Sequence, residues 1–540
     1  MAKILFTNAE FISMDSRQEP IENVLTEDGY ITRINAPEDI WKTDSSVIVE
    51  DLGGTVCLPG FHDTHMHMVE YGYNQEHCVD LADAASAEEV IARMRFFIQE
   101  KRIPPGSWVV GSRWNQEAFE NPVLLSREDL DQVSDQHYVF AKRVCIHIAA
   151  VNSRVLELCG IEKNTFTDDV NIGRYENGEP DGRIYEDAIA GIVLAKKPSL
   201  SVDEFESILE KTLYTLRRHG ITTVQTDDMK AFPDFESKIK ILQAYQNLRR
   251  SGRLPIRVIE QIQISSPEEF FRLKPVLEGL EQDHMFSVGS LKLILDGSLG
   301  AGTAAMCRAY KTAENQFGLL NYDDAALEKL IHIAVEEKMQ IMCHCIGDRA
   351  MLQAIRLLEK LEEEDFRCCR PRLVHCQIAA DDILARMAES GFLADIQPLF
   401  VLTDYPLIEK MIHVEKHHRL YAWKSMAEAG ILLCGSSDTP VDSFDVLAGI
   451  QAAVTRKGGE NCPDGGWDPQ EKLDVQQALA LYTVNPAFAA GREKELGKIQ
   501  IGYRADFVIL DRNPMKLPPE QIQEIRIRNT YCGGKGNGVK

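Results

Sequence analysis

Apolar residues fall along this chain in two rhythms. Short, uninterrupted apolar runs recur at 222–226, 256–261, 290–295, 340–344, 372–376, 392–397 and 431–436, and an eighth, 55–62, lies far upstream. Runs of this kind predict strands buried on both faces. Most are followed by stretches whose apolar positions are three and four apart, at 234–252, 323–338, 349–364, 381–390, 420–429 and 446–456, which predicts helices. Eight buried strands alternating with helices predict an α/β fold of the (β/α)8, TIM-like barrel type, with its chemistry at the C-terminal strand ends.

The flanks read differently. At the N-terminus the segments 3–7, 10–14, 23–26, 29–34 and 46–51 are short and separated by turns, and 506–510 and 522–528 repeat that character near the other end. Neither set is large enough to bury a core alone. Residues 1–55 and 490–540 are therefore expected to form one composite β-sandwich, and 56–69 with 201–489 the barrel. The gap between the first and second barrel strands is too long for one βα unit. Residues 70–200 hold a helical stretch (87–101), strand-like pieces (108–111, 138–141) and a turn-rich region (171–181). They predict an inserted α/β subdomain over the catalytic face.

Composition narrows the partners. A formal net charge of −24 argues against a phosphate-binding surface, so no nucleic acid is expected. No apolar run reaches the roughly 18–20 residues of a membrane span, and MAKILFTNAEFI lacks a signal-peptide core, so a cytoplasmic protein is expected. The thirteen cysteines lie mostly in apolar runs and form no zinc knuckle, which suits reduced thiols.

Candidate chemistry begins at LPGFHDTHMH. Side chains two apart in an extended segment share a face, so His65 and His67 are presented together. Alone the pair is weak, because chance gives about 0.4 His-x-His pairs in a chain with this histidine content. Other strand ends carry ligand types as well: Lys292 in SLKLILDGSLG, His344 in MCHCIGDRA, His375 in LVHCQ and Asp438 in CGSSDTPV. Neutral imidazoles suit a borderline metal such as zinc and leave positions open for water. The metal would lower the pKa of that water from about 15.7 towards 7, and Asp438 could take its proton and pass it to a leaving nitrogen. Lys292 fits if neutral, because an amine that adds carbon dioxide becomes a carbamate able to bridge two metals. Its alternative is an ion pair with Asp296.

These segments resemble the amidohydrolase superfamily, and within it the YtcJ-like metal-dependent hydrolases that include N-substituted formamide deformylases. LPGFHDTHMH is similar to the first-strand motif, LKLILDGSLGAGTA to the lysine segment, HCIGDRA to the HAIGD-type segment, and IGYRADFVIL to the re-entry into the terminal sandwich. The resemblance implies one or two divalent ions, zinc first, on His65, His67, Lys292, His344 and His375, with Asp438 as ligand and proton shuttle. KRVCIHIAAVNSRVLELCGI resembles the insert's His…Asn-Ser segment and puts His147 forward on the substrate side. Trp114, Asn115 and Glu186 in the insert, and Arg419, Tyr421 and Trp423 after the seventh strand, are further pocket candidates. Val374 departs from the acidic residue often found before the ligand histidine. The expected function is hydrolysis of a non-peptide carbon–nitrogen bond in a small molecule. Ester or lactone hydrolysis, deamination and a non-catalytic metal-binding role are the alternatives, and a homodimer is left open.

Overall fold

The computed structural model describes residues 3–15, 19–38, 42, 44–143, 148–167, 169–185, 188–311, 315–413, 418–458 and 463–537. The chain divides into two compact units, Met1–Val69 with Val202–Lys540, and Glu70–Ser201.

In the first unit eight parallel strands form one sheet in chain order: β1 (Phe61–Met66), β2 (Ile221–Thr226), β3 (Arg257–Gln263), β4 (Phe286–Ile294), β5 (Gln340–Cys345), β6 (Arg372–His375), β7 (Leu393–Ile396) and β8 (Leu432–Gly435). The sheet closes on itself just past β8, where Asp438 N–H donates to His65 O at 2.9 Å and His67 N–H donates to Thr439 O at 2.7 Å. Residues of β2, β6 and β7 are buried throughout, which is why these strands read as continuous runs rather than alternations; β1 is equally buried, although His62 to His65 in it are polar. The barrel interior also holds a polar layer. Arg372 and Asp395, both wholly buried, pair there, and Arg372 Nη1 donates to Gln225 Oε1 at 2.6 Å.

Helices follow most strands. Phe235–Arg250 begins where Asp234 accepts Ser237 N–H, an N-cap at the start of the helix predicted over 234–252. The stretch expected as one helix over 349–364 is two, Asp348–Leu358 and Glu363–Cys369. Val202–Arg218 and Pro267–Glu278 are helices outside the predicted set.

One barrel strand is displaced from its predicted place. Residues 56–59 belong to a long strand, Val47–Pro59, and pair antiparallel with Phe507–Leu510 in the terminal sheet. The barrel strand starts only at Phe61. An apolar run marks a buried strand but not the sheet that buries it. Gly60 makes the passage: its N–H donates to Asp506 O at 2.9 Å, and a Cβ there would lie 2.2 Å from Thr222 Oγ1. The two termini meet in one six-stranded sheet, ordered Ile527–Tyr531, Phe507–Leu510, Val47–Pro59, Lys3–Phe11, Asn23–Glu27 and Tyr30–Ile34. Lys3–Phe11 reads as two segments because Asn8, at φ 55°, interrupts its register with Val47–Pro59 between Thr7 and Ala9.

The second unit is a six-stranded mixed sheet, ordered Ile172–Arg174, Pro180–Tyr185, Ile148–Val151, Tyr138–Arg143, Trp108–Trp114 and Cys78–Asp80. Its helix Ala87–Lys101 is capped by Ser86. Among the described residues no helix is long and apolar enough to cross a membrane.

Candidate metal centre

The barrel topology gathers the strand-end residues. His65 is next to last in β1 and His67 lies just beyond it; Lys292, His344 and His375 lie on β4, β5 and β6, and Asp438 follows β8. Three non-glycine residues here hold left-handed backbone: His375 at φ 81°, Cys376 at 46° and Asp438 at 56°. Conformations of this kind cost about 1–3 kcal/mol each and persist where surrounding structure imposes them.

Hydrogen bonds fix how the imidazoles face. Gln261 Nε2 donates to Thr64 O at 2.9 Å, so its Oε1 is the atom that meets His65 Nδ1 at 2.8 Å. Nδ1 of His65 must then carry the proton, and Nε2 is left as a bare lone pair. His67 repeats this with Nδ1 against Asp227 O at 2.7 Å. For His375 the acceptor is Gln397 Oε1 at 2.8 Å, its amide oriented by Nε2 donating to Ser436 Oγ at 2.8 Å. Burial, with Lys292 nearby, brings His65 down to about 3, so the ring is neutral. Burial and the His344 ring hold His375 well below its ordinary value.

Asp438 completes the convergence. Its Oδ1 lies 3.3 Å from His65 Nε2 and 3.1 Å from His67 Nε2, is buried, and has no hydrogen-bond donor. Two lone pairs and a carboxylate oxygen in mutual contact repel unless a cation lies among them. The three ligand atoms are within 4.8 Å of one another, which fits a divalent metal. The His344 and His375 rings stand beside them, with centroids 4.4 Å apart and that of His375 6.1 Å from His65. His344 Nε2 donates to Gly297 O at 3.1 Å, which leaves Nδ1 as its lone-pair nitrogen.

Lys292 is wholly buried, and its Nζ lies 2.9 Å from His65 Nε2. Burial lowers it to about 8, with Asp227 and Asp438 opposing the shift. The alternative partner, Asp296, is engaged elsewhere: backbone N–H groups of Ala305, Ile346 and Gly347 donate to it at 2.9, 3.1 and 2.9 Å.

The predicted pocket residues fare differently. Trp114 is wholly buried in the core of the second unit, its indole N–H donating to Ala141 O at 3.0 Å, so it packs rather than offers a face to substrate. Arg419 pairs with Asp381 at 2.8 Å and lines a different cavity from the one at the histidines. His147 and Glu186 lie outside the described residues. A cavity of about 220 Å³ opens beside His344, His375 and Asp438, and Phe400 stacks on His375 with ring centroids 6.2 Å apart. Gln261, Gln397 and Asp227, which orient the ligand rings, were not singled out by sequence. Their one available signal is a polar residue at or just past the end of an apolar run.

A closed parallel barrel with imidazoles and a carboxylate gathered at its C-terminal end is the architecture of metal-dependent hydrolases. The structure is similar to that of a metal-dependent hydrolase from Pyrococcus furiosus, with a TM-score of 0.77 and 25% identity over 95% of this chain and 100% of that one. The chain belongs to the amidohydrolase family, whose profile matches residues 49–536. It is 31% identical to YtcJ of Bacillus subtilis (strain 168) over 517 residues, 95% of each chain. Similarity to the N-substituted formamide deformylase of Arthrobacter pascens is 23% identity over 552 residues, 99% of this chain and 98% of that one. Membership makes this protein a hydrolase.

Proposed function

We propose that the protein hydrolyses an amide-type carbon–nitrogen bond, other than a peptide bond, in a small molecule. Zinc or a similar divalent ion is held by His65, His67, His344, His375 and Asp438. The observation that carries this reading is the buried Asp438 Oδ1, which has no hydrogen-bond donor and faces the unprotonated Nε2 atoms of His65 and His67. A divalent ion bound there supplies Lewis acidity and acidifies water. Gln261, Gln397 and the Asp227 carbonyl keep the Nδ1 protons of the rings in place, so the lone pairs point inward. Asp438 takes a proton from the attacking water and returns it to the leaving nitrogen as the carbon–nitrogen bond breaks, giving a carboxylic acid and an amine. N-formyl amines are the first substrates to try, because the Arthrobacter pascens relative is named for N-substituted formamides.

The purified protein is expected to contain one to two equivalents of zinc or a similar ion and to release amine from at least one member of a panel of N-formyl amines, N-acyl amino acids and cyclic amides. His65→Ala combined with His67→Ala is expected to lose most of the metal by elemental analysis. Unchanged metal content in that variant would sink the assignment.

Lys292 is assigned the carbamate role. A buried amine whose ordinary value has fallen to about 8 is partly neutral near neutral pH and can add carbon dioxide, forming a nitrogen–carbon bond and releasing a proton. Lys292→Ala is expected to reduce bound metal, with partial recovery of activity in short carboxylic acids. Full metal content and full rate in both Lys292→Ala and Lys292→Arg would make the lysine structural.

A further inference from the structure

The cavity beside the histidines has an acidic end that the hydrolytic reading does not use. Asp404, Asp442 and Gln377 line it together with His344, His375 and Asp438. Among the described residues no arginine or lysine is ion-paired with Asp404 or Asp442. Lys230, which also lines the cavity, reaches His67 Nε2 instead, at 3.4 Å.

The Asp404 carboxylate is held firmly. Its Oδ2 accepts the Tyr421 hydroxyl at 2.5 Å and Gln377 Nε2 at 3.5 Å. Tyr421 is itself fixed in left-handed backbone at φ 49°: its N–H donates to Gln377 O at 2.9 Å, and its carbonyl accepts Arg456 Nη1 at 3.0 Å. Strained backbone gripped from both sides points to a side chain whose position matters.

Gln377 supplies an independent sign. It is only 2% exposed. Its amide cannot be turned over, because that would set Oε1 against the Asp404 carboxylate. Oε1 therefore remains an acceptor, and it is buried without a hydrogen-bond partner. An unsatisfied buried acceptor costs about 1–3 kcal/mol and is rare in native structures without a ligand or water to meet it. Burial pushes the carboxyls of Asp404 and Asp442 up, and the charge of Asp442 adds to the effect on Asp404. A bound cation would reverse that cost. Leu299, Ile346, Phe400 and Val441 add apolar wall that suits an alkyl chain, beside the hydroxyl residues Ser298 and Thr403.

We infer that the Asp404 end of this cavity selects substrates that carry a protonated amine on the far side from the scissile amide, such as mono-acylated diamines. Asp404 and Gln377 Oε1 accept the ammonium hydrogens, Asp442 adds charge, and Tyr421 is a positioning residue. This rests on the amide-hydrolase reading for the scissile bond, but the cation site itself does not.

Two measurements on the full-length holoenzyme keep these apart. By calorimetry, pentylammonium chloride is expected to bind at least tenfold more tightly than 1-pentanol, and Asp404→Asn is expected to abolish that preference. Tyr421→Phe, which keeps the carboxylate but frees it, is expected to weaken it partly. In turnover, kcat/KM for mono-N-formyl-1,4-diaminobutane is expected to exceed that for N-formylpentylamine at least tenfold, and the ratio to fall to about one in Asp404→Asn. Equal binding of pentylammonium and pentanol by the folded wild type overturns the inference, as does a preference that survives Asp404→Asn. Asp404-dependent binding with no hydrolysis of any amide supports the cation site and counts against the hydrolytic reading instead.

Discussion

Asp438→Asn is expected to keep most of its metal while kcat falls by at least the roughly 10²–10⁴-fold typical of general acid–base catalysis. Asparagine preserves the shape of the side chain and an oxygen that can face His65 and His67, but it cannot carry a proton between water and a leaving nitrogen. The surroundings sharpen the test. Asp438 Oδ1 receives no backbone N–H, so loss of a helix-type cap, worth about 1 kcal/mol, is a weak competitor for the effect. A metal content that falls in step with kcat would make Asp438 chiefly a ligand. A near-wild-type kcat with metal retained would remove it from the reaction. Elemental analysis, kcat and melting temperature on this one variant separate the three outcomes.

The second large effect concerns stability. Arg372→Met is expected to cost about 3–5 kcal/mol in urea denaturation, because it strands a buried carboxylate. Arg372 Nε and Nη2 donate to the two oxygens of Asp395 at 2.8 and 2.9 Å, and Thr64 Oγ1 donates to the same carboxylate at 2.9 Å. With the guanidinium gone, one hydroxyl cannot offset the desolvation of that charge. Replacing both partners, Arg372→Met with Asp395→Leu, removes the orphan and is expected to cost less than the single change. Equal or greater loss in the double variant would show that the pair contributes attraction beyond mutual neutralisation.

The barrel was legible in the sequence because strands buried on both faces leave continuous apolar runs, and all eight runs correspond to strands of one or other sheet. What the runs do not carry is membership. Residues 56–59 read as the start of the barrel because Val56, Cys57 and Leu58 are as apolar as a barrel strand, although they pair with Phe507–Leu510. The six strand-end residues were legible for a related reason: a histidine, lysine or aspartate at the end of an apolar run stands out from its neighbours. Gln261 and Gln397 did not stand out, since an amide at a strand end is ordinary until the ring it orients is known, and His65 and Gln261 meet only through the fold. Trp114 shows the converse error. An aromatic in an insert invites a binding role, but its ring fills a core that the local sequence does not reveal.

The pairing of residues 56–59 with Phe507–Leu510 also bears on how this protein is made. The strand that leads directly into β1 finds its antiparallel neighbour only near the far end of the chain. On a ribosome, residues 56–59 emerge and wait, with one ladder edge unpaired, until Phe507–Leu510 have been made and have left the exit tunnel. Pairings at such separation form slowly, and an open edge is where nascent chains associate wrongly. A polypeptide interrupted before Phe507 would keep the histidine-bearing strand and the pairing of Val47–Pro59 with Lys3–Phe11, but one edge of the strand that leads into β1 would stay open.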